Sequence, residues 1–179
     1  YPITAAGAVN QGNYEVSYVG GTFTITAGAR PEGKEITVTS YSGVYDAEEH
    51  SIDVNNLVAG DTVEYSYDGG ESWVSKLETY TDVTAEPVEI KVRVTNANYG
   101  EPVELTGTVT ITPKAVTVTA NDNGKTYGAD DPVLTATVTG TLNEDTVEYT
   151  VTREAGENVG EYPITAAGAV NQGNYEVSY

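Results

Sequence analysis

A histidine flanked by hydroxyls and carboxylates is a natural place to look for nucleophilic chemistry. This chain offers one set: His50, with Ser51 next to it, Ser42 upstream and Asp53 downstream. A Ser–His–Asp triad needs the hydroxyl within hydrogen-bond reach of the imidazole and a sharp turn that exposes the nucleophile. Ser51 directly follows His50 in strand-like sequence, where neighbours point to opposite faces, and no G-x-S-x-G elbow is present. The expectation is an ordinary exposed or turn histidine and no enzymatic activity. Acidic pairs at Glu48-Glu49, Asp130-Asp131 and Glu144-Asp145 have the residue types for acid–base work. Glycosidase chemistry, however, needs two carboxyls facing each other across a cleft, and an acidic solvated surface explains them as well.

Hard-cation binding suits these carboxylates better. Asn121-Asp122-Asn123-Gly124 and Ala129-Asp130-Asp131 place oxygen ligands in turns, where backbone carbonyls could join them. Asp122, Asp130 and Asp131 are therefore the calcium candidates, and no other cofactor is expected. Neither an EF-hand loop nor a nonapeptide calcium repeat is present, and Asn-Gly is already accounted for by its preference for hairpin turns. A self-formed Lys–Asn amide cross-link would draw on Lys34 or Lys114 with Asn96 or Asn98; it would require all of its groups in one apolar pocket. Trp73 and the tyrosines could stack on sugars, although Tyr65, Tyr67, Tyr149, Tyr175 and Tyr179 lie in alternating runs where packing is the simpler role.

Composition narrows the choices further. The 179 residues carry 8 Lys and Arg against 27 Asp and Glu, a formal charge of −19, with a pI near 4.1. Such a surface repels phosphate backbones and anionic lipid headgroups, so neither nucleic acid nor membrane is expected as a partner. There is no Cys and only 1 His, which excludes disulfides, thiolate nucleophiles and multi-histidine metal sites within the chain. The absence of Cys also suits an exported protein that does not depend on oxidative folding. A chain that begins at Tyr1 and contains no Met is expected to be a piece of something longer.

The elements that must carry these residues read as strands almost throughout. Apolar and polar residues alternate in Thr22–Thr26, Glu35–Thr39, Thr62–Tyr67, Val88–Val94, Thr106–Thr112, Val116–Ala120, Leu134–Thr139 and Thr146–Thr152. A period of two sends one set of side chains inward and the other to water. No segment shows a helical stripe, beyond a conceivable turn at Ala129–Leu134, so the fold class is all-β. The strongest organisational signal is a repeat: residues 1–18, YPITAAGAVNQGNYEVSY, recur unchanged at residues 162–179. The offset is 162 − 1 = 161 residues, the expected unit of a tandem array.

Strand density then divides the chain. Residues 1–27 form the C-terminal third of a preceding repeat, 28–34 a linker, 35–112 a seven-stranded immunoglobulin-like sandwich, and 113–179 a second domain that lacks its last strand. The expected core of 35–112 comprises Ile36, Val38, Ile52, Val54, Leu57, Val63, Tyr65, Trp73, Ile90, Val92, Val94, Val109 and Ile111, with Trp73 plugging the sandwich. The missing last strand corresponds to Thr22, Phe23, Thr24, Ile25 and Thr26 of the preceding repeat. These five residues are the strand-donor candidates for head-to-tail complementation between chains.

Lys125-Thr126-Tyr127-Gly128-Ala129-Asp130-Asp131-Pro132, then Arg153-Glu154-Ala155-Gly156-Glu157-Asn158-Val159-Gly160-Glu161-Tyr162, and finally Gly173-Asn174-Tyr175-Glu176-Val177 form an ordered series of motifs. They resemble the MBG repeat domain of large bacterial surface and adhesin-like proteins. The resemblance covers residues 113–179, with 1–27 as the last third of another copy. It implies a small, mostly β, β-grasp-like module of extracellular stalks, without catalysis. Residues 35–112 resemble the immunoglobulin-like repeats interspersed in such proteins, through Gly60-Asp61-Thr62-Val63-Glu64-Tyr65-Ser66, Trp73 and Val94-Thr95-Asn96-Ala97-Asn98-Tyr99. The functional expectation is a spacer segment of a bacterial cell-surface, adhesin-like filament. Its partners would be neighbouring repeats or other copies of itself. The alternative is a carbohydrate- or mucin-binding module that uses its Tyr and Trp faces to hold host or environmental glycans.

Overall fold

The computed structural model describes all of residues 1–179, and every regular element in it is a β-strand. The Thr/Val alternation has this outcome because branched side chains suit a pleated, half-buried surface. At Ala129, where a helical turn was conceivable, the backbone makes a single turn closed by its N–H on the Thr126 carbonyl.

The first 27 residues hold four very short strands: β1 (Pro2–Ile3), β2 (Asn10–Gln11), β3 (Tyr14–Glu15) and β4 (Gly21–Thr22). Strands β2 and β3 form a hairpin. Strand β1 pairs antiparallel with β4, Pro2 opposite Thr22 and Ile3 opposite Gly21. The pairing extends outward through the Phe23 N–H on the Tyr1 carbonyl at 2.8 Å and the Tyr1 amino group on the Phe23 carbonyl at 2.9 Å. No residue of this segment is buried.

Residues 37–112 form a two-layer sandwich. Its strands are β5 (Thr37–Thr39), β6 (Tyr41–Val44), β7 (Asp53–Asn55), β8 (Thr62–Ser66), β9 (Val88–Thr95) and β10 (Val103–Thr112). One sheet runs β6-β10-β9-β8 and the other pairs β5 with β7. The β6–β10 contact is parallel and its neighbours are antiparallel. The order β8-β9-β10 is the C–F–G order of immunoglobulin-like sandwiches. Ile90, Val92 and Val94 of β9 and Val109 and Ile111 of β10 are at most 1% exposed, as strict alternation requires. Gly107 of β10 lets the layers close, since a Cβ there would lie 2.5 Å from Val38 Cγ1 and 2.8 Å from Ile52 Cγ2.

The core differs from the sequence reading at two positions. Leu57 is 43% exposed, and Trp73 is only half-buried; Trp73 lies on the flank of the sandwich with the Arg93 guanidinium 4.2 Å from its ring centre. Six strands form instead of seven. The stretch between β8 and β9 is tied down by isolated bridges, Tyr65 with Val74 and His50 with Tyr80.

The C-terminal unit contains β11 (Lys114–Ala120), β12 (Ala136–Thr139), β13 (Thr150–Arg153), β14 (Ile164–Ala167), β15 (Asn171–Gln172) and β16 (Tyr175–Ser178). Its main sheet runs β12-β11-β16-β15, while β13 and β14 form a separate antiparallel pair. Parallel pairing of β11 with β16 brings Val116 and Val118 against Tyr175 and Val177, all buried. Only Pro113 separates β10 from β11, and the buried residues on both sides form one contiguous cluster.

Candidate functional site

A cleft of about 900 Å³ lies in the C-terminal unit, between the end of β11 and the β13–β14 pair. Its wall is a ring of four charges. Lys125 Nζ lies 2.6 Å from both Asp131 and Glu157. Arg153 closes the ring through Nε to Asp131 at 2.8 Å and Nη2 to Glu157 at 2.7 Å. Arg153 ends β13, and its Nη1 donates to the carbonyls of Glu154 and Gly156, so one guanidinium shapes the loop that returns Glu157 beneath it. The Tyr162 ring stands 5.6 Å from the Arg153 guanidinium, and its hydroxyl donates to Asn158 O. A Cβ on Gly156 would fall 2.0 Å from the Tyr162 ring, so only glycine lets that ring lie against the loop.

The electrostatics follow from the ring. Hydrogen bonds from Arg153, then Lys125, hold the Asp131 carboxyl at about 2. Lys125, then Arg153, lowers Glu157. Asp131 in turn, aided by Glu157, raises both Lys125 and Arg153. Every member stays ionised at neutral pH, which suits a structural clasp and not proton transfer. The residues that carried the family resemblance in the sequence, Lys125, Asp131, Arg153, Glu157 and Tyr162, are thus the residues that fold this corner.

The calcium candidates are not assembled into a cage. Asp131 has both oxygens engaged by Arg153, Asp122 and Asp130 are exposed, and no three His, Cys, Asp or Glu side chains converge anywhere in the chain. His50 is likewise not joined to Ser42, Ser51 and Asp53. It stacks on Tyr41 with ring centres 3.8 Å apart, its Nε2 is 2.9 Å from Asp46, and Ser51 donates to the Glu78 carbonyl. Asp53 lies in β7 opposite Thr39.

A second clasp, which sequence reading missed, closes the sandwich against residues 28–34. Arg30 grips Asp61 in a two-pronged pair of 2.6 and 3.1 Å, with the Asp61 side chain 2% exposed. Asn96 Nδ2 donates to the same carboxylate at 2.8 Å. Asn96 is therefore buried beside a carboxylate, as an amide cross-link would demand, but the cation there is an arginine, and neither Lys34 nor Lys114 is its partner. The strand-donor candidates Thr22 to Thr26 are all exposed. Only Thr22 of the five lies within a paired strand.

The C-terminal unit is a small all-β module with one corner pinned by a ring of four charges. Residues 116–179 match the family model of the MBG domain (YGX type), and MBG domains occur in bacterial surface proteins. No curated protein and no solved structure gives a significant match.

Proposed function

We propose that the chain is a spacer segment of a tandem-repeat bacterial cell-surface protein, in which immunoglobulin-like and MBG-type domains alternate to hold a distal region away from the cell. The observation that carries this reading is the junction at Pro113. Asn174 spans it two ways: its side-chain oxygen accepts the Val83 N–H at 2.9 Å and its Nδ2 donates to Asp82 at 2.8 Å, while its carbonyl, within the C-terminal unit, accepts the Lys114 N–H at 2.9 Å. Beside it, Tyr45 meets Tyr175 edge to face at 5.6 Å between ring centres, and both residues are buried. A one-residue linker sealed by apolar burial and hydrogen bonds restricts reorientation, which is what a spacer needs. The like charge carried by each unit favours extension of an array.

Residual dipolar couplings on the full chain test the reading. A single fixed orientation of the sandwich and the C-terminal unit is expected, loosened by Asn174→Ala combined with Tyr45→Ala. Independent tumbling of the two parts in the unaltered chain would refute it. A glycan array addresses the alternative. The Arg93 guanidinium already covers one face of Trp73, so no Trp73-dependent glycan binding is expected; saturable binding abolished by Trp73→Ala would replace the spacer reading.

A further inference from the structure

The Asn123-Gly124 pair does not form the hairpin turn its sequence suggests. A type I′ turn needs left-handed backbone at both central residues, and neither of these two has a positive φ. The pair lies instead in the connection between β11 and β12, just past the point where the Asn121 N–H bonds the Thr135 carbonyl at 2.9 Å. There the Asn123 side chain is held at both ends. Its Nδ2 donates to the Val133 carbonyl at 3.1 Å, and its Oδ1 accepts the Gly124 N–H at 2.8 Å.

The second contact sets a main-chain nitrogen against a side-chain amide carbon. Cγ is bonded to Oδ1 at about 1.23 Å, so the Gly124 nitrogen lies no more than about 4 Å from it. No backbone carbonyl holds that N–H, and both residues are exposed to water and base. A Cβ on Gly124 would meet nothing within 4 Å, so no neighbour stops the nitrogen from closing the remaining distance. Asp68-Gly69, the other acid or amide that precedes a glycine, is built the opposite way. Asp68 accepts from Ser66 Oγ at 2.7 Å and from the Ser72 N–H at 3.0 Å, and the donors of Ser72, then Ser66, hold its carboxyl well below the ordinary value. A carboxylate kept ionised and fixed on two sides neither turns nor accepts a nucleophile.

We propose that Asn123 is a site of spontaneous modification, at which the Gly124 nitrogen displaces the side-chain amide through a cyclic imide. Base removes the Gly124 amide proton and the nitrogen attacks Cγ, so a new N–Cγ bond closes the ring. The Cγ–Nδ2 bond breaks, and Nδ2 takes up a proton and leaves as ammonia. Water then opens the imide. Addition at Cγ gives aspartate at position 123; addition at the main-chain carbonyl gives isoaspartate, with the chain running through Cγ. Either route consumes one water and releases one ammonia. Both products lose the donor that held the Val133 carbonyl and place a new negative charge beside Asp122. The connection beyond β11 therefore loosens with age, while the ladder of β11 with β12, which begins at Ala120 and Ala136, stays paired.

The test keeps the full chain in mildly alkaline, heavy-oxygen water and maps its peptides by mass spectrometry, with an enzymatic isoaspartate assay alongside. Heavy oxygen is expected at position 123, with isoaspartate in excess of aspartate there and none at Asp68. A free peptide of residues 119–128 gives the rate without the fold, and the full chain should keep within about tenfold of it. Gly124→Ala should slow the conversion at least about tenfold, because a Cβ crowds the attacking nitrogen and narrows its backbone freedom. The space around Gly124 is open, so that variant keeps its fold, as an unchanged circular dichroism spectrum would verify. A full chain that lags the peptide by more than this margin, an unslowed Gly124→Ala variant, or conversion spread evenly over the other asparagines would overturn the proposal.

Discussion

Tyr14 and Tyr175 occupy the same place in two identical 18-residue sequences, yet Tyr14 is 77% exposed and Tyr175 4%. Local structure is the same around both. Each begins the second strand of a hairpin, β3 or β16, and in each copy the closing tyrosine, Tyr18 or Tyr179, donates to a backbone carbonyl, of Ala8 or Ala169, and meets a glutamine amide, Gln11 or Gln172. What differs is the presence of β11 alongside. Tyr175→Ala should therefore destabilise the C-terminal unit by roughly 3–5 kcal/mol, as large-to-small changes in a core do. Tyr14→Ala should stay within about 0.5 kcal/mol. Urea unfolding of the two variants checks both figures.

The clasp of Arg30 on Asp61 makes an acid-dependence prediction. Arg30, ahead of the Val58 and Asn96 donors, holds the folded Asp61 carboxyl at about 2 against an ordinary 3.8. Because the folded value is the lower one, its stabilisation is complete above about pH 4 and is lost as pH falls through 2. Asp61→Asn should lower stability at pH 7 and flatten the decline between pH 4 and 2, as read by denaturant midpoints across that range.

The two clasps should respond differently to salt. Asp61 is 2% exposed, whereas Asp131 and Glu157 are 47% and 67% exposed. Screening reaches exposed pairs and spares buried ones. Raising ionic strength from 0.01 to 1 M, about a tenfold fall in screening length, should shrink the cost of Asp131→Asn and leave that of Asp61→Asn nearly unchanged.

Gly107→Ala places a methyl against Val38 and Ile52 where no space exists. Overpacking of this kind costs about 1–3 kcal/mol. Adding Val38→Ala should restore part of the loss, since Val38 Cγ1 is the nearest obstruction, and a double-mutant cycle of thermal unfolding measures that coupling.

The all-β class and the strand cores were legible because each side chain reports its own face: Val88–Val94 alternates, and β9 spans Val88–Thr95. Long-range pairings carry no such local mark. Tyr45 is buried because Tyr175, far along the chain, meets it, and nothing around Tyr45 announces that. Trp73 was misread as core because its size suggests burial; a guanidinium covers it instead. The charge ring was visible as motif residues, but its role was not, since Lys125, Asp131, Arg153 and Glu157 meet only when the loop after β13 folds back. Arg30 was hidden in a stretch whose composition reads as linker.

The order in which strands pair also decides how the chain answers a pull. β6 lies parallel to β10, and β11 parallel to β16, so each unit joins an early strand to a later one pointing the same way. Tension applied at the two ends of either unit slides such strands past each other and loads all the bonds between them at once.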